Sequence, residues 1–130
     1  MGFGFFDTYH DVESYFIFSD GSKSEIKTTT ELNKFTETSF PVETKISRLL
    51  INHKSKSSKY PGLLMGIEIF DDKNVSILKA GDFTQDQYTK LTEIKIEAGE
   101  RLIGVKSGRR GETTNKHFDV QFIVGKKVQE

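Results

Sequence analysis

The residues best suited to do chemistry include a histidine and a carboxylate two positions apart, His117 and Asp119. In a strand, both side chains project from one face, which brings an imidazole beside a carboxylate as an acid–base pair or a metal site requires. A solvated strand face needs only the same alternation, and it is the interpretation that we expect here. The other histidines, His10 and His53, have no partner at ligand spacing, and the chain contains no cysteine. The sequence therefore predicts no metal site and no thiol nucleophile.

Oxygen ligands cluster at Asp71, Asp72 and Asn74. Calcium prefers such oxygens, but the EF-hand spacing is absent and Asp and Asn are common turn residues, so we predict a turn. No Gly-x-Ser-x-Gly motif occurs, and the glycines between positions 99 and 111 do not open a helix as those of a phosphate-binding loop do. The sequence therefore predicts neither an enzyme nor a bound cofactor.

Two polar loops concentrate positive charge: residues 54–59 and, between glycines, residues 108–115. A basic rim fits an acidic partner such as a protein surface, a phospholipid headgroup or RNA, and arginine adds bidentate pairing with carboxylate or phosphate. Solvated loops without a partner are the alternative. The candidate partner-binding or ligand-binding residues in and beside these loops are Lys54, Lys56, Lys59, Lys106, Arg109, Arg110, Asn115, His117 and Asp119.

Strands must position these loops, because Phe, Ile, Val and Thr are abundant and helical periodicity is nearly absent. The only helical spacing, in residues 30–37, predicts no more than a turn or a loop. Turns recur about every 8 to 15 residues, as in β-sandwiches, prisms and barrels. The predicted strands are residues 15–18, 25–30, 45–53, 63–70, 75–79, 90–97, 101–106 and 117–124.

The chain also matches itself at an offset of 52 residues, with nine identities between residues 17–55 and residues 69–107. The matches include turn residues and equate Lys54 with Lys106, so we expect the two basic loops at the same end of the fold. Chance agreement between strand-rich segments is the alternative. A β-trefoil would need three shorter repeats and does not fit this offset.

Several segments resemble the jacalin-like β-prism lectins, whose patterns read "I..I.I", "I.GI...Y.DG", "I.L..GE.I..I.G" and "L.F". The resemblance covers Lys45–Val124 and implies a β-prism fold and carbohydrate binding. The family's sugar-binding loop, Gly-x-x-x-Asp near the C-terminus, has no counterpart in residues 124–130, so no sugar-binding residue carries over to this chain. The matching segments are residues 2–7, 45–51, 66–72, 94–108 and 119–122.

We therefore expect a single all-β domain over residues 1–130, built as a jacalin-like β-prism or as a Greek-key β-sandwich with an internal repeat. Its first 13 residues contain four aromatic side chains, Phe3, Phe5, Phe6 and Tyr9, ahead of the first predicted strand. These side chains either pack into the core or form an apolar N-terminal arm, residues 1–13, that docks on a partner.

Composition narrows the function further. Lysine and arginine number 19, as do aspartate and glutamate, and this balance argues against a nucleic-acid-binding domain. No stretch approaches about 18 apolar residues, so we predict no membrane insertion and a cytoplasmic protein, with a cytoskeletal or ciliary setting open. The abundance of lysine and phenylalanine is typical of A/T-rich genomes such as those of many protists.

The favoured function is non-catalytic binding. We expect a structural or accessory component of a larger protein assembly, held through a protein partner. A carbohydrate-binding, lectin-like module is the alternative, and an enzyme ranks third.

Overall fold

The computed structural model describes residues 1–7, 12–24, 35–40, 44–56, 61–109 and 117–126. These residues form nine strands and no helix, so the predicted all-β class is confirmed. Within them, no helix is long and apolar enough to cross a membrane. The predicted strand at residues 25–30 lies outside the described residues. The strands are β1 (Gly2–Asp7), β2 (Val12–Ile17), β3 (Thr36–Ser39), β4 (Ile46–Lys54), β5 (Leu64–Asp71), β6 (Ser76–Gly81), β7 (Thr89–Lys95), β8 (Glu100–Arg109) and β9 (His117–Lys126).

The strands pair into three sheets, and every pair is antiparallel. Sheet A has the order β2-β1-β3, sheet B the order β6-β5-β4-β7, and sheet C pairs β8 with β9. In sheet B, β4, β5 and β6 follow one another along the chain, whereas β7 returns to pair with β4. β7 therefore pairs with β4 and not with β6, the strand that precedes it in the chain.

One apolar core is shared by the three sheets, because alternate side chains of a strand project to one face. Along β5 and the residue before it, Leu63, Met65, Ile67 and Ile69 are all buried as the pattern predicts, but Leu64 and Gly66 are buried as well, so β5 is covered on both faces there. From sheet C, Phe118 is buried in the same cluster. The other buried members are Phe3, Phe5, Phe16, Leu49, Ile51, Leu64, Leu78 and Ile96.

β1 is the central strand of sheet A, with β2 on one side and β3 on the other. The sequence pattern predicts neither β1 nor β3, because glycine is depleted in strands and β3 has no apolar alternation. The prediction of a turn or a loop in residues 30–37 is wrong at Thr36 and Glu37, which begin β3. On β1, Phe3 and Phe5 are buried in the core. At these two residues the aromatic N-terminus contacts the domain itself.

Gly4 lets a tyrosine ring lie across the central strand of sheet A. Tyr15 on β2 and Glu37 on β3 are both register partners of Gly4, so the three residues form one row across the sheet. Because Gly4 has no side chain, the buried Tyr15 ring covers it, and the Tyr15 hydroxyl donates a hydrogen bond to Glu37 Oε1 on the far strand. Lys23 Nζ lies 2.8 Å from the same carboxylate oxygen and completes the cluster.

A buried amide holds the segment between β6 and β7 against sheet B. Asn52 on β4 is fully buried and donates through Nδ2 to the Asp82 carbonyl oxygen at 2.7 Å. Its Oδ1 accepts a hydrogen bond from Gln85 Nε2 at 2.8 Å. A buried amide without partners is costly, so these two bonds fix residues 82–88 over the sheet.

We predict that Gly4→Ala destabilises the domain by about 2 kcal/mol, because the new methyl group overlaps the Tyr15 ring. A Cβ atom built on Gly4 lies 2.2 Å from Tyr15 Cζ. Urea unfolding followed by circular dichroism measures this loss.

Gly104→Ala is the matched control, since a Cβ atom there has its nearest contact at 3.5 Å, with Ile123 Cδ1. We expect its unfolding free energy within about 0.5 kcal/mol of wild type. Equal stability of the two variants would contradict the packing of Tyr15 over Gly4.

Candidate functional site

The ends of β4 and β8, which lead into the two basic loops, meet through a continuous row of backbone pairing. The Lys54 amide donates to the Leu63 carbonyl oxygen at 2.9 Å. Leu63 forms an antiparallel bridge with Phe118 on β9, and Phe118 pairs with Gly108 on β8. Neighbouring strands lie about 4.8 Å apart, so the row brings the backbones of Lys54 and Gly108 within about 15 Å.

This region is named the basic end, and its described members are Lys54, Lys56, Lys106 and Arg109. Lys56 and Lys106 are exposed, and Lys54 is half-buried. Lys54 and Arg109 are the last residues of β4 and β8, so the prediction that they lie in loops is wrong at both, and Arg109 pairs with His117. Of the other predicted site residues, Lys59, Arg110 and Asn115 lie outside the described residues.

The lysines of the basic end have no carboxylate at ion-pairing distance within the described residues, where the ion pair is Lys23–Glu37 on sheet A. β7 adds a further cation, because the exposed Lys90 pairs in register with His53, the neighbour of Lys54. No sequence pattern predicts the position of Lys90, since it depends on β7 pairing with β4.

Two carboxylates near this end serve the turns that contain them. Asp82 Oδ1 accepts the Thr84 amide at 2.8 Å, and Asp86 Oδ1 accepts the Tyr88 amide at 2.7 Å. The carbonyl oxygen of Tyr88 accepts the Ser55 amide at 2.7 Å, which ties this segment to the end of β4. These contacts stiffen the base of the first basic loop.

His117 lies in the interior. Its side chain is 2% exposed, so the expectation of a solvated strand face is wrong at this residue. The ring is edge-on to Phe16, with centroids 5.0 Å apart, and Nε2 lies 3.1 Å from the Ser14 carbonyl oxygen. The imidazole therefore links β9 to β2, and Asp119 follows two residues later in β9.

The cluster Asp71, Asp72 and Asn74 forms the predicted turn, between β5 and β6. Asp71 Oδ1 accepts the amides of Lys73 and Val75, both at 2.9 Å, and Asn74 has a φ of 62°. An aspartate that accepts amides two and four residues ahead is typical of turn chemistry. Across the described ranges, no group of three or more His, Asp or Glu side chains is arranged to hold a metal ion.

A groove of about 930 Å³ lies where parts of all three sheets approach one another, and the sequence pattern does not predict it. Its charged rim has both signs, Lys45 and Arg101 with Asp72, Glu97 and Glu100, so it lacks the single sign of the basic end. Apolar side chains in its wall are Met1, Phe18, Phe40, Ile46, Ile96 and Leu102.

Tyr15 and Glu37 are hydrogen-bonded to each other, and the pKa of each is shifted from its ordinary value. Burial, followed by the hydrogen bond to Glu37, raises the pKa of Tyr15 above its ordinary value. Hydrogen bonds from Lys23 and from Tyr15 lower the pKa of Glu37. The pair holds β2 and β3 together across β1, which is a structural role.

Comparison of the chain with protein-family models, with curated proteins and with solved structures gives no match. The resemblance to the jacalin-like lectins stays a prediction.

We predict that stability falls at both ends of the pH range. Because the pKa of Tyr15 is raised on folding, its contribution is present below about pH 10, the ordinary tyrosine value, and is lost as the pH rises above it. Because the pKa of Glu37 is lowered from 4.5, its contribution is present above that pH and is lost as the pH falls through the folded value.

Tyr15→Phe is expected to reduce the alkaline loss, and Glu37→Gln the acidic loss, in urea unfolding measured across pH. Tyr88→Phe removes a hydroxyl from an exposed ring and is the control. If the unfolding free energy of both Tyr15→Phe and Glu37→Gln changed with pH as it does in the wild type, the assignment of these pH effects to Tyr15 and Glu37 would be contradicted.

Proposed function

We propose that this protein is a non-catalytic binding domain, a structural or accessory component of a larger protein assembly, whose basic end binds an acidic segment of a protein partner. The observation that carries the proposal is the backbone row from Lys54 through Leu63 and Phe118 to Gly108. This row brings the backbones of two chain segments that are distant in sequence close together.

The charge of the basic end supports an acidic partner. The chain as a whole is neutral, with 19 basic and 19 acidic residues. Cations gathered at the basic end would therefore attract an anionic segment to that end rather than to the rest of the surface. Lys106 is two residues before Gly108 on β8, so we expect it about 15–20 Å from Lys54, beyond the Debye length of about 8 Å at physiological salt. Each cation therefore acts on its own part of the ligand.

The same spacing defines the length of the partner segment. An extended chain advances about 3.3 Å per residue, so about five residues span the distance between the two lysines. The ligand that fits best is an extended peptide with a carboxylate near each end.

For the finer architecture we propose a β-prism-like arrangement. Three sheets around one core support it. The order β7-β4-β5-β6, in which a fourth strand returns beside the first, is that of a Greek-key unit. The offset of 52 residues also superposes β2 on the first six residues of β5, in favour of an internal repeat.

The proposal of a non-catalytic role is supported by His117, because its imidazole packs on Phe16 and against a backbone carbonyl. The proposed setting is a cytoplasmic assembly, as the sequence predicts.

We predict that the double variant Lys54→Glu, Lys106→Glu binds an acidic peptide at least tenfold more weakly than wild type, because it reverses charge at both ends of the site. The probe is a fluorescein-labelled peptide with two glutamates at each end and two glycines between. Fluorescence anisotropy gives the affinity, and wild-type binding should weaken as salt is raised from about 50 to 200 mM.

The matched control is Lys45→Glu, Lys73→Glu, which reverses two exposed lysines at the other end of sheet B. Equal loss in both double variants, or no binding by wild type, would contradict a specific role of the basic end.

Carbohydrate binding is the second candidate, favoured by the three sheets around a common core that the resemblance to β-prism lectins implies. If it holds, the wild-type domain gives a discrete signal on a glycan array, and replacing residues 110–116, between β8 and β9, by a glycine-serine segment removes the signal. An array without signal would sink this candidate.

A further inference from the structure

Arg48 on the outer face of sheet B is held in a fixed position by two contacts. Its guanidinium carbon lies 3.6 Å from the centroid of the Phe70 ring, the register partner on β5. Its Nε donates to Asn74 Oδ1 at 3.0 Å. Asn74 itself belongs to the turn between β5 and β6, where its amide donates to the Asp71 carbonyl oxygen at 3.0 Å. Arg48 is thereby ordered before any ligand arrives.

These contacts leave the terminal edge of the guanidinium available. Stacking uses the flat face of the group and Asn74 uses Nε. Within the described residues, the Nη atoms of Arg48 make no hydrogen bond or ion pair. The Nη atoms are the part of arginine that pairs with two oxygens of a carboxylate.

A second cation lies directly beside Arg48. Lys95 on β7 is its register partner, so the two side chains share one face of the sheet, and Lys95 is exposed. Like charges directly opposite each other on neighbouring strands repel. No described carboxylate lies at ion-pairing distance from either of them. An anion between the two would remove this repulsion.

The next row along the same face has the opposite charge. Leu50, two residues after Arg48, pairs with Glu68 on β5 and with Glu93 on β7. The two rows are about 7 Å apart, which equals the distance between residues i and i+2 of an extended peptide. Leu91, two residues before Glu93 on β7, is 43% exposed and adds apolar surface to the face.

We propose that the Arg48–Lys95 row binds the carboxylate of an acidic side chain in an extended segment of a protein partner. The segment carries a basic residue two positions away, over Glu68 and Glu93. The acidic row opposes a polyanion, so a phosphorylated surface or a nucleic acid fits this face less well than a single carboxylate does.

This site is independent of the basic end. Arg48 and Lys54 are six residues apart on β4, which corresponds to about 20 Å. The basic end fits a segment with acidic residues only, whereas the Arg48–Lys95 row fits a segment of alternating sign. A neutral peptide therefore tests this site without engaging the basic end.

The test is a titration of the domain with the neutral peptide acetyl-Val-Glu-Val-Lys-Val-amide, followed by NMR. The side-chain Nε–H signal reports on Arg48 in the wild type, and the backbone amide signals of β4 and β7 give the affinity of every variant. We expect the Arg48 signal to shift in a saturable manner. Arg48→Met should weaken binding roughly tenfold, since a hydrogen-bonded charged pair is lost. Arg48→Lys, which keeps the charge but cannot donate two parallel hydrogen bonds to a carboxylate, should weaken binding several-fold.

Arg101→Met, at an exposed arginine on β8, is the matched control and should bind as wild type does. The peptide with Gln in place of Glu should bind at least fivefold more weakly. Wild-type affinity in Arg48→Met, equal binding of the Gln peptide, or no shift of the Arg48 signal would each overturn the proposal. A tighter response to inorganic phosphate than to the peptide would also overturn it. If Arg48→Met does not fold, as judged by its amide spectrum, Arg48→Lys decides.

Discussion

The antiparallel bridge between Leu63 and Phe118 joins the backbone of sheet C to that of the segment before β5. A two-stranded ribbon is marginal in water by itself, so β8 and β9 need an apolar support. Leu63 is fully buried and Phe118 is 3% exposed, and both belong to the common core. The two residues of the bridge are thus held both by their backbone pairing and by the burial of their side chains in the core. Because Lys54 pairs with Leu63 and Gly108 with Phe118, the same contact determines how far apart the basic segments lie.

Sheet A is secured in a different way, through a row in which the middle residue has no side chain. Tyr15 passes over Gly4 to reach Glu37, so three strands are tied by one ring and one hydrogen bond. The imidazole of His117 then joins this sheet to sheet C. The polar groups inside the domain thus connect strands, while the basic end and the Arg48–Lys95 row lie on its surface. The two surfaces have different charge patterns and fit different peptides.

The sequence pattern predicts those strands whose side chains alternate. In β5 and β9 apolar residues recur at every second position, so their boundaries are predicted to within two residues. β1 has glycine at two positions, and β3 has no buried apolar residue between its ends, so both escape a pattern based on apolar alternation. They are strands because β1 pairs with β2 on one side and with β3 on the other. For the surface, the offset of 52 residues predicts that Lys54 and Lys106 share one end. The stacking of Arg48 on Phe70 depends on the register of β4 with β5, which no local pattern contains.

The central claim is that two segments distant in sequence form one basic end, and a distance between spin labels tests it most directly. The chain has no cysteine of its own, so Lys54→Cys, Lys106→Cys can be labelled selectively with nitroxides. Pulsed electron–electron double resonance is then predicted to give one narrow distribution of label-to-label distances at about 15–25 Å, from three strand spacings, two residues along β8 and the label arms. A distribution centred beyond about 35 Å, or a broad one without a short component, would contradict the shared basic end.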